Sequence, residues 1–208
     1  MQWEKFKDLF HESWHLKMQP FIESEACDNI YKFLKAESKR GKTIAPLSSN
    51  VYRCFIETPL DELKVVMMGM APYHTLKNGS PVADGLLMGC STTGILQPSL
   101  EQFYGAIERE NYNGLCAYCD KTNPDVSYLA RQGVLMFNAS LTTEINKAGS
   151  HMHIWEPFTK YVIEEILNPA QVPFIFLGKD AAQYAKYANP FSWSFTTTHP
   201  ASASYRNT

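Results

Sequence analysis

The 208-residue sequence contains no apolar run approaching the ~20 residues that a membrane-spanning helix needs. It has no basic excess either: 19 lysines and arginines face 21 aspartates and glutamates, for a net charge of -2. Composition therefore argues mildly against strong nonspecific attraction to a nucleic-acid backbone, and a local basic groove is compatible with a neutral whole. Internal repeats, low-complexity tracts and linkers are lacking. The opening, MQWEKFKDLFHESW, is mixed and charged, without the basic-then-apolar layout of a secretory signal. The cysteines, Cys27, Cys54, Cys90, Cys116 and Cys119, are odd in number. Together with the missing signal, this leads to an expectation of reduced thiols and an intracellular setting, cytoplasm or nucleus. Cys116 and Cys119 form a CxxC, but no second pair supplies the other half of a metal site, so two loop thiols are the preferred reading.

What is present is ordinary globular composition, 45% hydrophobic and 19% charged, enough for one domain over 1–208 with a sizeable core. The N-terminal third reads as helical: Trp3, Phe6, Leu9 and Phe10 recur at helical spacing, as do Ile30, Phe33 and Leu34. Runs of strand length follow at Lys64 to Met70, Val134 to Ser140, Pro173 to Gly178 and Ser194 to His199, read as central strands covered on both faces. Helical stretches lie between them. One begins at Ser99, an N-cap behind Pro98 with Glu101 in its first turn, and another runs from Glu156 to Leu167. The alternation predicts an α/β fold with a largely parallel sheet.

Ligands of such sheets bind beyond the carboxyl ends of the strands. Three polar segments occupy that place: Ala71-Pro72-Tyr73-His74, Asn138, and His199-Pro200. Taken alone, each has a plainer reading. An Asn after an apolar run is more often a turn or cap residue, a buried Tyr is more often core, and a His before Pro is more often a loop polar group.

The same segments carry a family resemblance. Gly69-Met70-Ala71-Pro72-Tyr73-His74 after a buried run resembles the Gly-Gln-Asp-Pro-Tyr-His of family 1 uracil-DNA glycosylases. Ala130-Arg131-Gln132-Gly133 leading to Asn138 and Leu141-Thr142, Ser150-His151 with Trp155-Glu156-Pro157-Phe158-Thr159, and Thr198-His199-Pro200 with Ser204-Tyr205-Arg206 resemble further segments of that family, in the same order. Thr58-Pro59-Leu60 and Pro98-Ser99-Leu100 also match. The resemblance implies a central four-stranded, mainly parallel sheet flanked by helices, with no metal, no cofactor and a monomeric state. It also implies hydrolysis of the N-glycosidic bond of uracil flipped out of DNA.

Residue by residue, it places Asn138 on the uracil edge, Tyr73 against C5 where thymine carries a methyl, His199 as the donor to uracil O2, and His74 in support. It places Met70, Met88 and Ala71 where the family has Gln, a base-stacking Phe and the catalytic Asp. Alanine can neither hold the attacking water nor offset charge on the sugar, so binding with much slower turnover is expected. Asp84, in the adjacent Ala83-Asp84-Gly85-Leu86 segment, is the one nearby carboxylate considered as a substitute. In the last motif, Pro200, Ala201, Ser202 and Ala203 replace a segment whose leucine wedges into the duplex, which implies a preference for single-stranded uracil-containing DNA. Pro72, Pro98, Ser99, Pro200, Ala201, Ser202 and Arg206 are the expected DNA contacts, with Ser202 and Arg206 on phosphates. Two other readings stay open: a non-cleaving module that reads uracil-containing or modified DNA or docks a replication partner, and an enzyme adapted to another base.

Overall fold

The structure is a computed structural model, and it describes residues 3–110 and 121–202. Cys116, Cys119, Ala203 and Arg206 lie outside the described residues.

The apolar runs form strands β1 (Val65–Gly69), β2 (Val134–Asn138), β3 (Phe174–Leu177) and β4 (Ser194–Thr197), joined in the spatial order β2-β1-β3-β4. All three pairings are parallel, with Met67 opposite both Met136 and Ile175, and Phe176 opposite Thr196. Parallel strands need long crossovers, and helices supply them. These are α4 (Pro98–Glu110) and α5 (Ser127–Ala130) between β1 and β2, then α6 (Met152–Tyr161) between β2 and β3. Ahead of the sheet lie α1 (His15–Ile22), α2 (Glu25–Lys39) and α3 (Arg53–Glu57). Among the described residues, no helix is long and apolar enough to cross a membrane.

The core lies where both sheet faces are covered. Val66, Met68, Leu135, Phe137, Phe174 and Phe176 are sealed from solvent, as are Trp14, Phe55, Trp155 and Phe158 from the surrounding helices. Phe55 joins the layers, its ring centroid 5.6 Å from Phe137 and 5.7 Å from Phe158. Cys27, Cys54 and Cys90 are free and buried, and burial pushes the Cys27 and Cys90 thiols up to about 11.

Three expectations need correction. The last strand is not covered on both faces: among the described residues β4 pairs only with β3, and all four of its residues are exposed. Its threonines satisfy the β preference for branched side chains without requiring burial. The start of the chain forms 3-10 turns at Trp3–Lys5, Lys7–Leu9 and Glu12–Trp14 rather than an α-helix. A spacing of three, from Trp3 to Phe6 to Leu9, fits three residues per turn at least as well as 3.6. The helix expected from Glu156 starts earlier, at Met152, and widens into a π-helical segment at Val162–Leu167.

Candidate active site

The carboxyl ends of β1, β2 and β4 open into one cavity of about 300 Å³. Its floor is fixed by backbone pairing that continues past the strands. The Ala139 N–H donates to the Gly69 carbonyl at 2.8 Å and the Ser140 N–H to the Met70 carbonyl at 2.9 Å. The segment following β1 and the segment following β2 are thereby locked together. Gly69 permits this close approach, since a Cβ there would stand 3.0 Å from Asn138 Oδ1 and 2.3 Å from Leu87. The third wall comes from beyond β4. Gly178, at the end of β3, has φ +88°, and a Cβ on it would meet the Cβ of His199 at 3.0 Å. A side chain at that position would push the histidine out of place.

Met70, Ala71, Pro72, Tyr73, His74, Met88, Pro98, Ser99, Asn138, His199 and Ala201 all line this cavity. Tyr73 is held by a hydrogen bond between its hydroxyl and Ser99 Oγ at 2.5 Å, and Ser99 is carried on the first turn of α4. Burial pushes the Tyr73 phenol above its ordinary value, so it stays neutral. Met88 is 95% buried and adopts a left-handed backbone, φ 60°, within the tight turn of residues 84–91.

Three buried polar atoms on the cavity wall have no protein partner: Asn138 Oδ1, His74 Nδ1 and Thr75 Oγ1. Buried polar groups are seldom left unpaired. Three in residues of one cavity leave that wall with bonding capacity its own side chains do not use. His199 is differently arranged. The Ala201 N–H donates to its Nδ1 at 3.1 Å. A backbone amide can only donate, so the neutral ring carries its proton on Nε2. Burial lowers the His199 pKa, with Asp180 opposing, and so favours that neutral form.

The carboxylate is elsewhere. Asp84 is fully buried outside the cavity lining. It accepts from the Leu86 N–H at 3.0 Å, the Ser91 N–H at 3.0 Å and Ser91 Oγ at 2.6 Å, and it pairs with Arg53 at 2.9 Å. It fastens the turn that carries Met88. No group of three metal-ligating side chains occurs among the described residues.

Two of the expected contacts stand apart from the cavity. Ser202 lines a neighbouring groove with Gly178, Lys179 and Thr196 to His199, and Pro200 is buried without reaching the cavity wall. Thr75, Leu87, Gln97 and Ala148 line the cavity without having been singled out from sequence. Thr75 follows the first motif directly and Gln97 precedes Pro98, so adjacency was the available signal. Ala148 comes from a distant hairpin, and nothing in the local sequence marks it.

No protein-family model matches the chain. Over 170 residues it is 35% identical to a uracil-DNA glycosylase of Francisella tularensis subsp. tularensis, covering 79% of this chain and 70% of that protein. The same identity and coverage hold for the uracil-DNA glycosylase of the novicida subspecies. Among solved structures, the mimivirus uracil-DNA glycosylase superposes with a TM-score of 0.83 at 22% identity, over 94% of this chain and 71% of that one. A protein from Nitratifractor salsuginis described as UNG superposes with a TM-score of 0.65 at 16% identity, over 100% of this chain and 93% of that one. The parallel sheet, the cavity at its carboxyl edge and the identity to the Francisella proteins agree: the chain belongs to the uracil-DNA glycosylase family.

Proposed function

We propose that the cavity receives a uracil nucleotide turned out of DNA, and that Ala71 leaves hydrolysis of its glycosidic bond slow. The observation that carries the reading is the convergence of Tyr73, Asn138 and His199 on one cavity whose wall also holds Ala71. Asn138 Oδ1 requires a donor, which uracil N3–H supplies, and the amide N–H of the same side chain serves uracil O4. The Tyr73 ring, fixed by Ser99, closes the space that a C5 methyl would enter. Met88 offers the base an apolar contact without a π face.

When the bond breaks, its electron pair leaves with the base and positive character remains on the sugar. His199, with its proton on Nε2, donates to the oxygen where the negative charge gathers. Water then adds hydroxide to the sugar carbon and returns a proton to the base. In this chain no carboxylate at position 71 orients that water or takes its proton. Such assistance is worth roughly 10²–10⁴ in rate, about 3–5 kcal/mol of barrier. The small residues Ala201 and Ser202 after His199-Pro200 provide no wedge to fill a duplex after flipping, which favours single-stranded DNA. The protein acts as a monomer, one domain spanning 1–208, without a cofactor.

The test is single-turnover uracil release from a single-stranded uracil oligonucleotide by this protein and by Ala71→Asp. A rate gain of 10²-fold or more on substitution is expected. Silence in both proteins, despite tight binding of the oligonucleotide, would make the chain a reader instead.

A further inference from the structure

Strand β4 and the segment leading into it leave three large aromatic side chains in solvent within five residues. Phe191 is 92% exposed, Trp193 75% and Phe195 53%. The other tryptophans, Trp3, Trp14 and Trp155, are buried. Trp193 extends the strand, since its carbonyl accepts from the Phe174 N–H at 2.8 Å. The Trp193 and Phe195 rings stand side by side, their centroids 6.3 Å apart and their planes 38° apart. Strand alternation puts these two on one face, followed by Thr197 and, two residues on, His199. A groove of about 680 Å³ runs alongside, lined by Lys179, Asp180, Thr196, Thr197, Thr198 and Ser202 among others, and it shares His199 with the active-site cavity.

We infer that this strip is a stacking track for single-stranded DNA, with the bases flanking the flipped nucleotide laid on Trp193 and Phe195. The inference rests on the reading of the cavity as a DNA site. Bases stack on aromatic rings whatever their sequence, so the track binds DNA without requiring uracil. The hydroxyl-rich groove takes in Thr197 and His199 from the same face, and Lys179 on its wall offers the connecting sugar-phosphate a cation. Spacing selects the single strand. Side chains two apart on a strand are ~6.6–6.8 Å apart, about twice the 3.4 Å stacked rise of duplex DNA. Bases reach successive rings only when the strand is stretched. An open edge strand also invites a second copy of the chain, but such pairing gives no reason for the face carrying the rings to continue through Thr197 toward His199, which lines the substrate cavity.

Trp193 makes the test direct. A uracil-free thymidine decamer is titrated while intrinsic tryptophan fluorescence is followed, with binding measured in parallel by anisotropy of a labelled decamer. Saturable quenching is expected, weaker for the matching duplex. Trp193→Leu, at a surface position that tolerates apolar exchange, should abolish the quenching. It and Phe195→Leu should each weaken decamer binding about 5- to 150-fold. Unchanged decamer affinity in both variants overturns the track, as does absence of quenching in the parent. Sedimentation showing a dimer that Trp193→Leu dissociates, without quenching by DNA, assigns the strip to a second copy instead. Uracil release by Ala71→Asp is scored separately. Release without decamer quenching overturns the track and leaves the active-site reading standing. Quenching without release by Ala71→Asp supports the track and sinks the uracil reading.

Discussion

Replacing Asp84 by asparagine separates a structural carboxylate from a catalytic one. The side chain is fully buried and faces four donors: the Leu86 and Ser91 amides, Ser91 Oγ and Arg53 Nη1. Asparagine keeps one oxygen for Leu86 but turns an amino group toward the other three. The serine hydroxyl can rotate to accept, whereas the Ser91 amide and the guanidinium cannot. Removing one partner of a buried, hydrogen-bonded ion pair costs about 3–5 kcal/mol. Arg53 keeps Glu57 at 3.3 Å and Asp125 at 3.1 Å and is partly open to solvent, so the lower end, ~3 kcal/mol, is expected. With a urea dependence of ~2 kcal/mol per molar, the unfolding midpoint should fall by ~1.5 M. The turn carrying Met88 should loosen and weaken uracil binding, while the residual rate of bond cleavage at saturation stays within a few-fold of the parent. The reasoning is refuted if Asp84→Asn unfolds at the parental urea concentration yet loses all residual uracil release, because that result puts the carboxylate in the chemistry.

Other expectations concern the cavity and the buried histidines. In the Ala71→Asp background, Tyr73→Ala should raise thymine release relative to uracil release by about 10–200-fold, the range one methyl commands in an apolar pocket; parallel release assays on matched oligonucleotides check it. Ser99→Ala, which frees the Tyr73 hydroxyl, should shift the same ratio in the same direction but less. Met88→Phe should tighten inhibition by free uracil by ~0.5–1.5 kcal/mol through ring stacking, and an unchanged inhibition constant would show that Met88 does not contact the base. Acidification should destabilise the fold through His151, whose pKa burial lowers. The unfolded chain takes up a proton near pH ~6.5 while the native ring stays neutral. The contribution is thus complete above that pH and is lost as pH falls through the lowered native value. His199 acts in the same direction. A melting temperature that falls between pH 8 and pH 5.5, with a shallower fall in His151→Gln, is the expected result.

The sheet was legible because its inner strands are covered on both faces. Val65–Gly69, Val134–Asn138 and Phe174–Leu177 are nearly unbroken apolar runs, and the structure places strands within one or two residues of those expectations. The convergence of Tyr73, Asn138 and His199 was legible for a topological reason: parallel strands deliver the segments beyond their carboxyl ends to the same edge. The exposed edge at Ser194–Thr197 was not, because β-branched composition reports strand preference without reporting cover. The role of Asp84 was hidden in the same way. Its partner Arg53 lies 31 residues upstream on α3, and no local pattern joins the two. The exposure of Phe191, Trp193 and Phe195 is a property of the sheet's order, invisible in a sequence where aromatic residues are ordinarily read as core.

On the proposed function, the departures from the family pattern bear on different steps of one reaction. Ala71 removes help to the water, which acts after the base is seated. Ala201 and Ser202 remove the wedge, which acts while the base leaves the duplex. Neither touches the partnerless atoms of Asn138, His74 and Thr75, which act only once the base is in the cavity. Affinity for an already unpaired uracil should therefore persist where turnover does not, and the aromatic strip beside it, as the proposed stacking track, should add contacts to neighbouring unpaired bases that a duplex cannot use. On that proposal the protein spends its binding energy on single strands and releases the base slowly. Restoring the carboxylate alone should then raise the single-strand rate far more than it narrows the gap between single-stranded and duplex substrates, because the wedge is still missing. If Ala71→Asp instead equalises the two substrates, flipping was never limiting, and the small residues after His199-Pro200 have no part in substrate choice.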